Sequence, residues 1–248
     1  MSLKRKRSDF WSIKFYKSIF LFIFINIFSA TNAQEVFERV NYCPLAAKIY
    51  AAYEEKNFVY IKEVRSKNEN DAFIFPTCQL LLLLANKLPV KEFIDAFPKN
   101  KDEYYLFASR AWGCENLPQK IFNNDEDHPI FAYYDELLKL MAKGDRRAMK
   151  KVLNSIPWVD GEMAENLLWE ELPKFLLKHP DIVLKNWDLF KDHINSIDSD
   201  IYTEDVYKNL IYLNKIVQET AADSVSKEGF LKYLDREVKI HKKYKGFK

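Results

Sequence analysis

The stretch DHPIFAYYDELLKLMAKGDRRAMKKVLNSIP, residues 127–157, encodes two amphipathic helices and the turn between them. Gly144 is expected to take the left-handed conformation that ends the first helix, and Asp145 to accept hydrogen bonds from the free amides of the second. Pro157 is expected to stop that second helix. Apolar residues recur at helical spacing in both halves of the stretch. They predict a surface helix with one buried apolar face, followed by a second helix that also buries one apolar face. The inward positions are Ile130, Tyr134, Leu137, Leu138 and Met141, then Ala148, Met149, Val152, Leu153 and Ile156.

A second helical pair, residues 73–98, resembles this one when the two are aligned. Five residues around a run of leucines match the first helix of the other pair at a distance of 57 residues, and the second helices match at 59; the five are Leu80, Leu81, Leu83, Leu84 and Ala85. Stacked helical hairpins would produce such a repeat, although any two amphipathic hairpins correspond to some extent. The leucine run also raises the alternative of a membrane helix. Polar residues on both sides keep the apolar run below the ~20 residues that a span needs, which favours a core helix.

The remaining pattern indicates roughly ten helices and no sustained apolar/polar alternation. Only five glycines are present, too few for many tight turns or a glycine-lined nucleotide site. The predicted fold is all-α, either α-solenoid-like, with irregular HEAT/TPR-like stacking of antiparallel hairpins, or a compact multi-helix bundle. Pro173 is expected to kink or divide one helix. The other predicted starts or caps are Pro44, Asn57, Pro89, Asp102, Asp160, Asp181, Thr203 and Ser226.

The N-terminal segment has the features of a secretory signal peptide. Basic residues precede an apolar run over 19–28, and small residues end at Ala33. Residues 1–33 are therefore predicted to be cleaved, leaving residues 34–248 as a single helical domain that is periplasmic or extracellular. The leader holds six of the 38 basic residues and one of the 36 acidic ones, so the mature chain has a net charge of −3. This charge gives no support for nucleic-acid binding.

Cys43, Cys78 and Cys114 all follow the predicted cleavage site. In an oxidising compartment any two of them could form a disulfide bond and leave the third as a free thiol. The alternative is that the cysteines are buried free thiols. Sequence does not choose among the three pairings. No CxxC motif is present, which disfavours a redox motif or a cysteine zinc site.

No pattern indicates a catalytic, cofactor-binding or metal-binding residue. The four histidines are scattered, and those that precede a proline are expected to face solvent. Asn123, Asp125 and Asp127 alternate as calcium ligands do, but the required glycine and closing glutamate are missing, so they are expected to begin a helix. The only candidate acids for hydrolysis are expected to form a charged surface. They are Glu162, Glu165, Glu170 and Glu171.

The sequence therefore favours an exported helical protein-interaction module, such as an adaptor, inhibitor or immunity-like protein. Its expected partner is a protein or peptide, bound in a groove or face rich in aromatic residues. The alternatives are a helical hydrolase of cell-envelope polymers that uses the candidate glutamates, and a structural envelope component. No stable membrane span is expected in the mature chain. The basic C-terminus HKKYKGFK, residues 241–248, is expected either to be solvated or to make a weak contact with an anionic surface.

Overall fold

The computed structural model describes residues 42–114, 129–197, 204–220 and 222–245. Within these ranges the regular elements are all helical and no strand occurs, so the all-α prediction is confirmed. The predicted signal peptide and the predicted cap at Thr203 lie outside the described residues. None of the helices in these ranges is both long and apolar enough to cross a bilayer.

Thirteen α-helices are described, with 3₁₀ turns at Ile156–Trp158 and Ile194–Ser196 and a π-helical segment at Glu165–Glu171. They are α1 (42–54), α2 (Phe58–Lys67), α3 (Ile74–Leu84), α4 (Val90–Ala96), α5 (Lys101–Trp112), α6 (Pro129–Ala142), α7 (Arg146–Ser155), α8 (Gly161–Ala164), α9 (Leu172–Lys178), α10 (Pro180–Lys185), α11 (Trp187–Phe190), α12 (Glu204–Glu219) and α13 (Ser224–Lys245).

The two helical pairs that resemble each other in sequence lie side by side. Helix α3 packs on α6, and α4 packs on α7. The Phe93 ring stacks on Tyr133 with their centroids 4.2 Å apart, and the Tyr133 hydroxyl donates a hydrogen bond to the Phe93 carbonyl. This is the arrangement that stacked helical hairpins produce.

The caps of the central pair form as predicted. Gly144 has φ of +84°, and the Asp145 carboxylate accepts hydrogen bonds from the amides of Arg147 and Ala148. The predicted inward residues are buried apart from Leu138, which is half-buried. The predicted outer face of α6 is present but narrow, since Lys139 is the only exposed side chain of the helix and Asp135 and Glu136 are half-buried. Neighbouring helices cover α6 on nearly every side.

Helix α3 is the predicted core helix. All its residues from Ile74 to Leu82 are buried except Phe75. Its buried polar groups are satisfied, since the Thr77 hydroxyl donates to the Phe73 carbonyl and Gln79 accepts from Arg65. The apolar residues on nearly all sides of α3 thus match its burial among other helices.

Pro173 does not divide the helix, because α8, the π-helical segment and α9 follow one another without a non-helical residue. The π-helical segment Glu165–Glu171 ends just before α9, where Pro173 occupies the second position. Because proline lacks an amide hydrogen and its ring clashes with the preceding turn, the wider π turn accommodates it.

A disulfide bond joins Cys43 to Cys114, with their Cα atoms 5.4 Å apart. It connects the start of α1 to the residue that follows Gly113 at the end of α5. Cys78 is buried in α3, and burial raises the pKa of its thiol to about 12. This thiol is therefore unreactive at neutral pH.

The C-terminal helices α12 and α13 form an antiparallel hairpin that packs on α9 and α10. Helix α13 begins at Ser224, two residues before the predicted start, because the Asp223 carboxylate accepts a hydrogen bond from the Ser226 amide. Gly229 lies against Trp187, and a Cβ atom there would come within 2.2 Å of the indole ring. The missing side chain lets the two elements approach closely.

Candidate binding groove

A groove of about 640 Å³ lies between α5 and the first residues of α8. Tyr104 and Met163 contribute buried apolar surface to its lining, Tyr105 is half-buried, and Leu106 is 43% exposed. A volume in this range holds a few side chains of a partner. The groove therefore combines aromatic lining with an accessible apolar edge.

The rim of this groove is acidic. Asp102, Asp160 and Glu162 are exposed carboxylates, and none of the described residues that line the groove is basic. Outside this lining, the Lys101 ammonium lies 5.2 Å from the centre of the Tyr105 ring. Such a rim attracts positively charged groups.

The two walls are joined by a hydrogen bond from the Tyr105 hydroxyl to Asp160 Oδ2, 3.0 Å long. Asp160 precedes α8, where it was expected to cap the helix, but its side chain accepts no capping hydrogen bond. Gly161 follows with φ of +49°, a conformation that side chains disfavour. This backbone shape accompanies the turn of the Asp160 carboxylate toward α5.

Tyr104 is the groove residue that the sequence analysis missed. It is 1% exposed, its ring lies 6.3 Å from that of Trp158, and its buried hydroxyl has no hydrogen-bond partner among the described residues. Burial raises its pKa. The spacing of Tyr104, Phe107 and Ala111, all buried, is helical and contained the signal.

The candidate glutamates do not share a pocket. Glu162 lines the α5/α8 groove, whereas Glu171 lines a hollow of about 260 Å³ between α6 and α9. Glu165 and Glu170 line neither and are exposed. The Lys174 ammonium bonds both Glu170 and Glu171, at 3.2 and 2.8 Å. Two of the four glutamates thus form ion pairs, which is typical of a charged surface.

The comparisons with known proteins identify no relative. Neither a protein-family description, nor a curated protein, nor a solved structure matches the chain. The geometry of the described residues is therefore the basis for proposing a function.

Glu171 has one neighbour that the sequence did not suggest. Asp135 of α6 lines the same hollow, and burial raises the pKa of its carboxyl, with a further contribution from the charge of Glu171. Lys139 acts in the opposite direction. Two carboxyl-bearing residues from different helices therefore line this hollow.

The remaining candidate residues do not assemble a site. His179 lies beside Phe175 with a ring separation of 5.1 Å and is half-buried, as is His193. His241 is fully buried, with Nδ1 2.9 Å from the Glu237 carbonyl oxygen. The described residues contain no group of three or more potential metal ligands. His128 and the calcium-like residues Asn123, Asp125 and Asp127 lie outside them.

Proposed function

We propose that this chain is an exported helical module that binds another protein through the groove between α5 and α8. One observation carries the proposal: accessible aromatic and apolar lining from Tyr105 and Leu106 lies inside a rim of three carboxylates, without a basic residue among the described lining. The partner is a segment with a large apolar side chain flanked by lysine or arginine. Its apolar side chain enters the groove, and its cations face the rim.

Two cross-links near the groove support this proposal. The Tyr105–Asp160 hydrogen bond holds the walls together, and the disulfide at Cys114 anchors the end of α5 to α1. A preformed site loses less conformational entropy when a partner binds. Export is supported by the leader-like sequence and by the disulfide, which persists in oxidising compartments.

Selection from a displayed random-peptide library on the purified protein tests the proposal. Selected peptides should combine a large apolar residue with neighbouring basic residues. The paired change Asp102→Asn and Glu162→Gln should weaken a selected peptide about tenfold in fluorescence anisotropy, since two rim charges are lost. Glu54→Gln with Glu55→Gln removes the same charge from exposed positions at the end of α1 and should leave binding unchanged. Selected peptides without basic residues, or equal losses in both double variants, would contradict the proposal.

A hydrolase is the second candidate, and the hollow shared by Asp135 and Glu171 favours it over a purely structural role. Glycoside cleavage uses two carboxyl groups in one site, one as the acid and the other as the base or nucleophile. Release of soluble fragments from purified wall polymer should then be lost in both Asp135→Asn and Glu171→Gln. Glu170→Gln, which removes the neighbouring partner of Lys174, is the control and should retain turnover. Absence of release by the native protein rejects this candidate.

A further inference from the structure

The outward face of the α12–α13 hairpin carries exposed apolar side chains. Ile211 and Tyr212 on α12 are 47% and 64% exposed, and Val225 at the start of α13 is 70% exposed. They are three of the seven exposed large apolar side chains in the described part of the chain. Scattered apolar residues are normal on a surface, but here they recur on one hairpin.

Hydrogen bonds along the seam fix the orientation of this face. The Asn214 side chain donates to Asp235 Oδ1 at 2.8 Å, and the Lys227 ammonium donates to the Gln218 carbonyl at 2.8 Å. The opposite sides of the two helices are buried through Leu210, Leu213, Val217, Phe230 and Leu234. Helical spacing therefore places Ile211 and Tyr212 on the solvent side of α12, and Lys232 on the solvent side of α13.

Lysines follow the same face of α13. Lys232 and Lys239 are seven positions apart and exposed, and Lys242 and Lys243 continue the exposed charge toward the end of the helix. Arg236, between them, is held inward, because it donates to Glu237 and to the Ile197 carbonyl and lies 5.2 Å from the Tyr233 ring. The ammonium groups are thus the outermost cations of this surface.

Charge is distributed unequally along the chain. Residues 224–248 contain eight basic and three acidic residues, whereas residues 34–223 contain 24 basic and 32 acidic ones. One of the three C-terminal acids, Glu237, is buried. The α13 region is therefore the positive end of an otherwise negative protein.

We infer that the outward face of α12 and α13 lies on an anionic lipid bilayer, at a site separate from the α5/α8 groove. Lysine is depleted in the centres of protein interfaces, whereas lysine combined with apolar residues and tyrosine is typical of helices that lie in the membrane interface. Ile211 and Tyr212 enter the headgroup region. Lys232, Lys239 and Lys242 contact lipid phosphates.

A shallow hollow of about 790 Å³ along α13 fits this orientation. Leu231, Lys232, Arg236 and Lys239 contribute to its lining, together with two carboxylates, Glu228 and Asp235. Apolar surface next to ammonium groups suits a phospholipid headgroup with the first part of its acyl chains. The hollow lies on the face that carries Lys232 and Lys239.

Vesicle co-sedimentation of the protein, expressed as the full chain and purified with its N-terminus determined, tests this inference. Vesicles of phosphatidylcholine with about 30% phosphatidylglycerol should bind it, and neutral phosphatidylcholine vesicles should bind far less. Binding should fall strongly between about 50 and about 500 mM NaCl, because salt screens the attraction. The triple change Lys232→Gln, Lys239→Gln and Lys242→Gln should lower partitioning by about 100-fold.

The matched control removes three exposed lysines from other helices: Lys48→Gln, Lys62→Gln and Lys91→Gln. It changes net charge equally and should keep nearly all the binding, and Ile211→Ser with Tyr212→Ser should lose part of it. Equal binding to neutral vesicles, or equal losses in the two triple variants, would overturn the inference. The inference would also be overturned if the protein does not bind vesicles but binds purified wall polymer, or a protein partner, in a way that depends on these lysines. The double variant Asp102→Asn and Glu162→Gln should bind vesicles as the native protein does, which separates this site from the groove.

Discussion

The Tyr105 hydroxyl donates a hydrogen bond to Asp160 Oδ2 at 3.0 Å, although 55 residues separate the two positions. Through it α5 contacts the turn that begins α8. Because Asp160 uses its carboxylate in this way, α8 starts without a side-chain cap. Asp160, a residue type that usually caps a helix locally, thus makes a contact that is long-range in sequence.

Tyr105→Phe tests the contribution of this hydrogen bond. The ring and its contact with Lys101 remain, and only the donor is lost. Since the pair is at the surface, we expect the free energy of unfolding to fall by about 1 kcal/mol or less. Urea denaturation followed by circular dichroism measures it. A loss well beyond that value would mean that the bond holds more of the fold than its exposure indicates.

Gly229→Ala should destabilise the protein despite the higher helix propensity of alanine. The new methyl group would overlap the Trp187 ring, and overpacking of this kind costs about 1–3 kcal/mol. Glu228→Ala, at the neighbouring exposed position, is the control and should change stability little. Thermal denaturation compares the two. Trp187→Leu combined with Gly229→Ala should cost less than the sum of the single changes, because the smaller side chain removes the overlap.

Thiol titration should count one free cysteine per unreduced, denatured chain and three after reduction. In the native protein Cys78 should not react, because burial raises its pKa to about 12. Detection of three thiols before reduction would contradict the disulfide.

The double change Cys43→Ser and Cys114→Ser should lower the free energy of unfolding by about 2–4 kcal/mol. The bond closes a loop across 71 positions, so its loss releases much of the unfolded chain. Cys78→Ala is a poor control because the substitution leaves a cavity in the core. Reduction of the disulfide in the native protein is an independent control. Chemical denaturation with and without reductant should reproduce the loss seen in the double variant.

Stability should decline as the pH rises above about 10. Burial raises the pKa values of Tyr133 and Tyr134 well above the ordinary 10.0, so both phenols stay protonated in the folded protein. In the unfolded chain they lose their protons near their ordinary pKa, which favours unfolding at alkaline pH. Their contribution is fully present below that pH.

Urea denaturation at a series of alkaline pH values measures this decline. Tyr133→Phe should make the decline of stability with pH shallower. The substitution also removes the hydrogen bond to the Phe93 carbonyl. Tyr212→Phe, at an exposed position, should leave the pH dependence unchanged. A decline of the same steepness in Tyr133→Phe would exclude its phenol as a cause.

Local features of the chain could be predicted because their causes lie within a few residues. Asn57 accepts a hydrogen bond from the Tyr60 amide as expected, and Gly144 and Asp145 form the turn between α6 and α7. Inward positions of α7 followed from helical spacing alone. Secretion and partner binding stay predictions.

The groove could be predicted only in part. An aromatic binding face is expected from the composition, but no sequence pattern singled out Tyr104 and Tyr105, of which Tyr104 is the buried member. Adjacent tyrosines on a helix point in directions about 100° apart, and neighbouring elements decide which is covered. Asp160 was assigned to a cap, because its partner across the groove is far away in sequence.

The sequence by itself determined the helices, their ends and the all-α class, since apolar spacing, proline and capping residues act over one or two turns. Only the tertiary structure decided that Cys43 pairs with Cys114, that α6 is covered on nearly every side, and that Asp135 and Glu171 share a hollow. Each of these outcomes depends on distances between residues that are remote along the chain. Such distances are set by how the helices pack, and packing is a property of the whole core.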